Sequence, residues 1–322
     1  MKEWVKNLDK INFEKGEYSQ YFQDQLLEYI FNSLNLDKKS NFCVEFGYSS
    51  NKLSDHGNTT GLIKNHNWDY ILFDIDYENE DINLYKEFLT TDNIIEVFKK
   101  YSIPIEPEYI SIDVDSTDFW LFKELLTKYK PLVYSVEYNP NFPITEAITF
   151  PNDYNLTFNN DRAYGTSLKA LTLLAESNNY SLLWVVPTLD AFFIRNDLIN
   201  DNTDYISYPI SKFKSATNIP VHSRVKELNR LNNFINYEAY VSSNGDLEYS
   251  SYEAQKICKK YLVQNGDIRS KFMYFRNYFS NFISFLCTRN KIRKINWLHK
   301  FLVKTFEFIS PFPYNAHIHK LI

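Results

Sequence analysis

Three carboxylates, Asp113, Asp115 and Asp118, fall within six residues in the stretch YISIDVDSTDFWLFKELL at 109–126. Acids so spaced can accept a proton, hold a cation or brace a turn, and their placement decides among these roles. Tyr109, Ile110 and Ile112 read as a buried parallel strand, Ser116 or Thr117 as a helix cap, and Phe119 to Leu126 as the helix that follows. The acids therefore gather at the carboxyl end of a strand, where the loops of an open α/β sheet diverge and leave a crevice for ligands. Taken singly, Asp118 at a helix start and Asp115 in a turn also have structural readings.

A second group of polar residues sits after two earlier apolar runs. FCVEF at 42–46 is a buried strand ending in Glu45 and closed by Gly47, and a polar loop then leads to Asn58, Thr59 and a short helix ending near His66. Tyr70 to Phe73 is the next strand, ending in Asp74 and Asp76. A turn glycine lets backbone approach a ligand, and a carboxylate at the next strand end can accept both ribose hydroxyls, so the pattern suits an adenosine. LVYSVE at 132–137 is a further buried strand, and its terminal Glu137 meets a loop stiffened by Pro140 and Pro143. Among the histidines only His56, in the loop near Asn58, is a site candidate, and no pair has helical metal spacing.

The elements that must position these groups follow from periodicity. Tyr18 to Leu34 predicts a helix with Leu26, Leu27, Ile30, Phe31 and Leu34 on its apolar face, its polar start carrying Ser19, Gln20, Gln23 and Asp24. Tyr164 to Glu176 predicts another. Leu182 to Val186 and Ala191 to Asn196 are strands too close in sequence for a crossover, hence antiparallel. Only Tyr77 to Asp81 separate Asp76 from Ile82, while a helical crossover needs about a dozen residues, so the helix there is missing or the third strand is displaced. After Leu198 a polar linker over 200–218 precedes helices near 224–235 and 252–262.

Composition sets the bounds. With 322 residues and 44% hydrophobic content, the chain can bury one sizeable core with room for a subdomain. No opening apolar run resembles a signal peptide, and three scattered cysteines fit a reducing compartment, so a soluble cytoplasmic protein is expected. Seven glycines leave no phosphate-cradling loop pattern. From Ile268 to Phe306 there are nine Lys or Arg and no Asp or Glu, interleaved with aromatics. This basic tail could rest on an anionic membrane surface, receive an acidic glycan, or pack against the acidic remainder, and no nucleic-acid recognition motif accompanies it.

Together SQYFQDQLLEYIF, VEFG, Asn58-Thr59, LFDID, TTDNI, SIDVDSTDFW, VEYNPNFP, YGTSL and DAFFIRNDL stand in an order and spacing that resembles FkbM-type and related class I S-adenosylmethionine-dependent methyltransferases. The resemblance spans 18–198, with SIDVDSTDFW and VEYNPNFP its most specific parts. It implies an α/β, Rossmann-like, mostly parallel sheet with an antiparallel end made by its sixth and seventh strands, in a domain over 1–198, followed by a mainly helical region over 199–322. Glu45, Gly47, Asn58 and Asp74 would then hold S-adenosylmethionine. Asp113, Asp115, Asp118 and Glu137 would form the reaction centre, with the three aspartates as ligands if a divalent metal takes part. His56, Tyr138, Asn139, Tyr164 and Ser167 would border a sugar acceptor. The implied activity is O-methylation of a sugar hydroxyl in a surface polysaccharide or its activated precursor. The chain departs from relatives in having a single glycine in a longer first loop. That keeps open transfer of another group to a glycan, or a non-catalytic glycan- or membrane-associated role.

Overall fold

The computed structural model describes residues 1–35, 41–53, 57–199, 208–217 and 225–263. The chain divides into two compact units, Met1–Gln264 and Asn265–Ile322. The basic aromatic stretch and the terminal histidines fall in the second unit, outside the described residues. The boundary expected at 198/199 lies inside the first unit.

Strands β1 (Phe42–Phe46), β2 (Asp69–Asp74), β3 (Leu84–Lys86), β4 (Tyr109–Ile112), β5 (Val133–Glu137), β7 (Tyr180–Val185) and β8 (Asp190–Arg195) form one sheet in the order β3-β2-β1-β4-β5-β8-β7. The first five are mutually parallel, and β8 runs antiparallel to both β5 and β7. The expected hairpin is thus the seventh and eighth strands of the chain. A two-residue strand, β6 (Ile148–Thr149), comes first and pairs separately with β9 (Ile235–Asn236).

Each sheet face has its own apolar layer. Val44, Phe46, Phe73, Ile110, Ile112 and Val136 point to one side and pack with α4 (Ile94–Lys100), α5 (Asp118–Leu126) and α6 (Leu168–Glu176). Cys43, Leu72, Tyr109, Val133 and Ile194 point to the other and pack with α1 (Glu3–Asn7), α2 (Gln23–Leu34) and α3 (Thr60–His66). Alternation along each strand assigns residues to these two sides, and the doubly covered sheet explains why its strands read as continuous apolar runs. A third cluster, including Phe142, Phe150, Phe234 and Cys258, joins the β6–β9 ladder to α8 (Leu247–Cys258).

Several element boundaries differ from the periodicity, each for a local reason. Helix α2 begins at Gln23 rather than Tyr18, because the Asp24 carboxylate accepts from Tyr18 N and Ser19 N, and Gln23 Oε1 from Tyr21 N. These side chains capture the donors that a longer helix would have used. Helix α6 starts at Leu168, capped by Ser167, since Gly165 sits at φ +48° and residues 165–167 hydrogen-bond to the β6 segment instead. Between β2 and β3 a single 3-10 turn, Glu80–Ile82, replaces a crossover helix, the first of the two outcomes the short link allowed, and β3 keeps its parallel place beside β2. In place of the helix near 224–235 there is a 3-10 helix over Leu228–Asn233 and then β9, while α8 starts earlier than expected, capped by Asp246. Among the described residues no helix is long and apolar enough to cross a membrane.

Candidate functional site

The face of the sheet toward α2 and α3 changes character along the strands. Its lower row is apolar, with Cys43, Tyr109, Val133 and Ile194 in register. One step up the register gives Glu45, Ser111 and Ser135, and the next positions are Gly47, Asp113, Glu137 and Asp190. Polar groups therefore accumulate toward the carboxyl ends, where a crevice of about 530 Å³ opens between the strand ends and the segments at 75–77, 87–89 and 154–158. That volume lies within the range of small-molecule sites.

Gly47 is the pivot. Its φ is +81°, and a Cβ placed there would lie 1.4 Å from the Asp113 carbonyl oxygen. Only glycine permits both this conformation and this approach between the ends of β1 and β4. The loop after it is pinned at both ends. Gly47 N and Tyr48 N donate to Phe73 O, and Ser49 N donates to Asp74 Oδ2 at 2.8 Å. At the far end the buried Glu45 carboxylate accepts from Asn58 N, Thr59 N and Thr59 Oγ1. Burial raises the Glu45 pKa against the opposing effect of these bonds.

Glu45 and Asn58, expected at the donor, thus lie behind the loop and do not line the crevice. Asn58 Nδ2 donates to Ser111 Oγ and to Asp190 Oδ2, and Gln23 Nε2 donates to the same Asp190 oxygen. Ser135 Oγ continues the chain to Ser111 Oγ, and Tyr109 OH meets Ser135 Oγ at 2.6 Å. Asp74 does line the crevice, with a carboxylate that accepts from Ser49 N, Asp76 N and Tyr77 N.

Of the three aspartates after β4, two face the crevice and one does not. Asp118 is buried and turns its carboxylate back on the loop, Oδ1 accepting from Val114 N at 2.7 Å and Oδ2 from Ser116 N at 3.0 Å. It braces the turn, which corrects its expected place among the catalytic and metal-binding acids. Burial pushes its pKa up to about 6 against these bonds. Asp115 holds a left-handed φ of +59°, which aspartate tolerates better than most residues, and its carbonyl accepts from Phe158 N.

The convergent set is Asp113, Asp115 and Glu137, each offering a carboxylate oxygen within 4.8 Å of the others. These three, with Glu137 replacing Asp118, are the residues that could hold a cation. Burial raises the Asp113 and Glu137 pKa values well above the carboxylate range, and neighbouring acids, Asp190 for Asp113 and Asp113 for Glu137, add to it. Asp113 and Glu137 are only partly covered, reached through the crevice, so the pair can hold or exchange a proton there.

The expected acceptor residues are placed differently. The buried Tyr138 donates to Ala216 O and accepts from Thr188 N. Asn139 is fully buried and staples its loop, donating to Arg162 O and Tyr164 O while accepting from Asn141. Ser167 Oγ accepts from Ala170 N and Ile148 N as a helix cap. Tyr164 is buried against Phe158. None of these four lines the crevice, and His56 lies outside the described residues. Sequence reasoning missed Asp190, whose only signal was a carboxylate opening an apolar strand after a tight turn. It also left unassigned Ser49, the exposed Tyr77 and Phe88, and the exposed Ile75 of LFDID, all of which line the crevice, as does Gln20 from the polar segment before α2. No family model matches this chain, and no curated protein matches it.

Proposed function

We propose that the crevice binds S-adenosylmethionine and that the protein methylates a hydroxyl of a sugar, as the resemblance of its motifs implies. The observation that carries this reading is the close apposition of Gly47 to Asp113. It brings the first loop and an open pair of acids to one crevice at the carboxyl ends of a parallel sheet. Asp113, Asp115 and Glu137, when ionised, also suit a ligand with a sulfonium charge.

The residues fit the group with one adjustment. A carboxylate offers about four lone-pair sites, and Asp74 spends three on backbone donors, so it accepts one ribose hydroxyl and leaves the second to the neighbouring Asp76. When bound, the group supplies a methyl carbon activated by positive sulfur, which passes to the acceptor oxygen as the carbon–sulfur bond breaks and a thioether leaves. Ionised Glu137 or Asp113 accepts the hydroxyl proton, and the acid so formed releases it to solvent through the crevice. The Gly47 turn held against Asp113 and the turn braced by Asp118 hold the alignment on which much of the acceleration depends.

A metal-assisted form of the same reaction is favoured by one observation, the 4.8 Å convergence of the three carboxylates. A divalent ion there would lower the hydroxyl pKa in place of a general base. Calorimetry of the full chain with S-adenosylhomocysteine tests the proposal, with and without magnesium. Saturable binding supports it, and absence of heat at millimolar ligand would refute it.

A further inference from the structure

Among the described residues the charged side chains that line the crevice are of one sign. Its wall carries Asp74, Asp76, Glu87, Asp113, Asp115 and Glu137, and no lysine, arginine or histidine among the described residues lines it. Of the six acids Glu87 is paired with Lys100 Nζ at 2.6 Å, and burial and their mutual repulsion let Asp113 and Glu137 hold a proton.

Several backbone donors that could replace a basic side chain are also taken. Sites for phosphate use free N–H groups of a glycine-turn loop or a helix start. Here Gly47 N is bonded to Phe73 O, and Ser49, Asp76 and Tyr77 donate to Asp74. At the start of α5 the protein's own Asp118 carboxylate accepts from Val114 N and Ser116 N. These six amides are thus engaged within the chain. Apolar surface lies beside them, as Ile75, Tyr77 and Phe88 are 53%, 41% and 52% exposed on the same wall.

We infer that this crevice excludes phosphorylated ligands, and that its acceptor is a neutral or amine-bearing polyol and not a nucleotide-activated sugar. A phosphate entering it meets acids of its own sign and finds only neutral donors such as Gln20, Tyr77 and Thr117, with no cationic side chain among the described residues to balance its charge. An uncharged polyol meets carboxylate acceptors and apolar rings, and an ammonium group gains attraction as well. The inference rests on the adenosine-site reading above and narrows the class of substrate.

The test compares adenosine, 5′-amino-5′-deoxyadenosine and adenosine 5′-monophosphate as probes by calorimetry on the full chain. They share the base and ribose and differ in charge at the 5′ position. The expected order is amino compound, adenosine, monophosphate, with the last at least about tenfold weaker than adenosine. In Asp115→Asn and Glu137→Gln the gap should narrow severalfold, and circular dichroism would show that both variants keep the fold. Monophosphate binding as tight as adenosine in the unaltered protein, or a gap that both variants leave unchanged, overturns the inference while the adenosine site stands. Failure of all three probes to bind removes the adenosine site and the inference together.

Discussion

Glu137 and Asp190 stand directly opposite each other on the antiparallel strands β5 and β8, on the same face of the sheet. Like charges so placed repel. Asp190 is held by the amides of Gln23 and Asn58, whereas Glu137 faces the crevice with Asp113. Burial raises the pKa of Glu137, Asp113, Asp118 and Asp190 alike. The folded chain therefore binds more protons than the unfolded chain, from the ordinary carboxylate range up through about pH 6 for Asp118 and higher for Asp113 and Glu137. Stability should accordingly fall as pH rises across that window. The melting temperature is expected to be higher at about pH 5 than at about pH 8, and Glu137→Gln should flatten the slope. A profile that rises toward pH 8 in the absence of metal ions would contradict the assignment.

Gly47→Ala places a methyl group against the Asp113 carbonyl oxygen at a backbone angle that alanine resists. The expected loss is about 3 kcal/mol or more, read from urea unfolding, together with loss of ligand binding. Gly245, at φ +93° with its nearest neighbour the flexible Tyr240 side chain at 3.5 Å, is the comparison site. Gly245→Ala pays only for the backbone angle, so its loss should be clearly the smaller.

Glu45→Gln keeps shape but replaces one acceptor oxygen with a donor, facing either Asn58 N or the Thr59 pair. A cost of roughly 1–3 kcal/mol is expected. Hydrogen exchange should rise at the amides of Asn58 and Thr59 while β4 and β5 stay protected. Unchanged exchange at those two amides would show that the carboxylate does not tether the loop.

Asp118→Asn and Glu137→Gln should separate structure from chemistry. An asparagine at 118 retains one acceptor but sets its amide against Val114 N or Ser116 N, so the turn weakens and the melting temperature falls. Glu137→Gln should preserve or raise stability while abolishing methyl transfer. Equal turnover in Glu137→Gln and the unaltered protein would remove Glu137 from the reaction.

Asp74→Ala removes an acceptor used by Ser49, Asp76 and Tyr77 as well as by the proposed ribose. Binding of S-adenosylhomocysteine should weaken by more than tenfold, roughly the 1.4 kcal/mol or more of a lost charged hydrogen bond. Undiminished binding would place the ribose elsewhere.

Much of this arrangement was legible in the sequence because it is local. Apolar runs marked four of the five parallel strands and the hairpin, and put Gly47, Asp74, Asp113 and Glu137 at strand ends, where they lie. The short link after Asp76 left either no helix between β2 and β3 or a displaced third strand, and the structure has the first. What spacing could not reveal was the direction in which each polar side chain spends its hydrogen bonds. Asp113, Asp115 and Asp118 look alike in sequence, yet only the tertiary structure shows two open to the crevice and the third folded back onto Val114 and Ser116. Tyr138, Asn139 and Ser167 likewise satisfy loop and helix-start groups that become their neighbours only when distant segments meet. Asp190 joins Glu137 through antiparallel pairing across more than fifty residues of chain. Sequence by itself determined which residues reach the ends of the strands, because alternation and strand length are properties of a few consecutive residues. The tertiary structure alone decided which of them remain free for a ligand, because a buried carboxylate or amide bonds to whatever donor or acceptor the fold brings within reach.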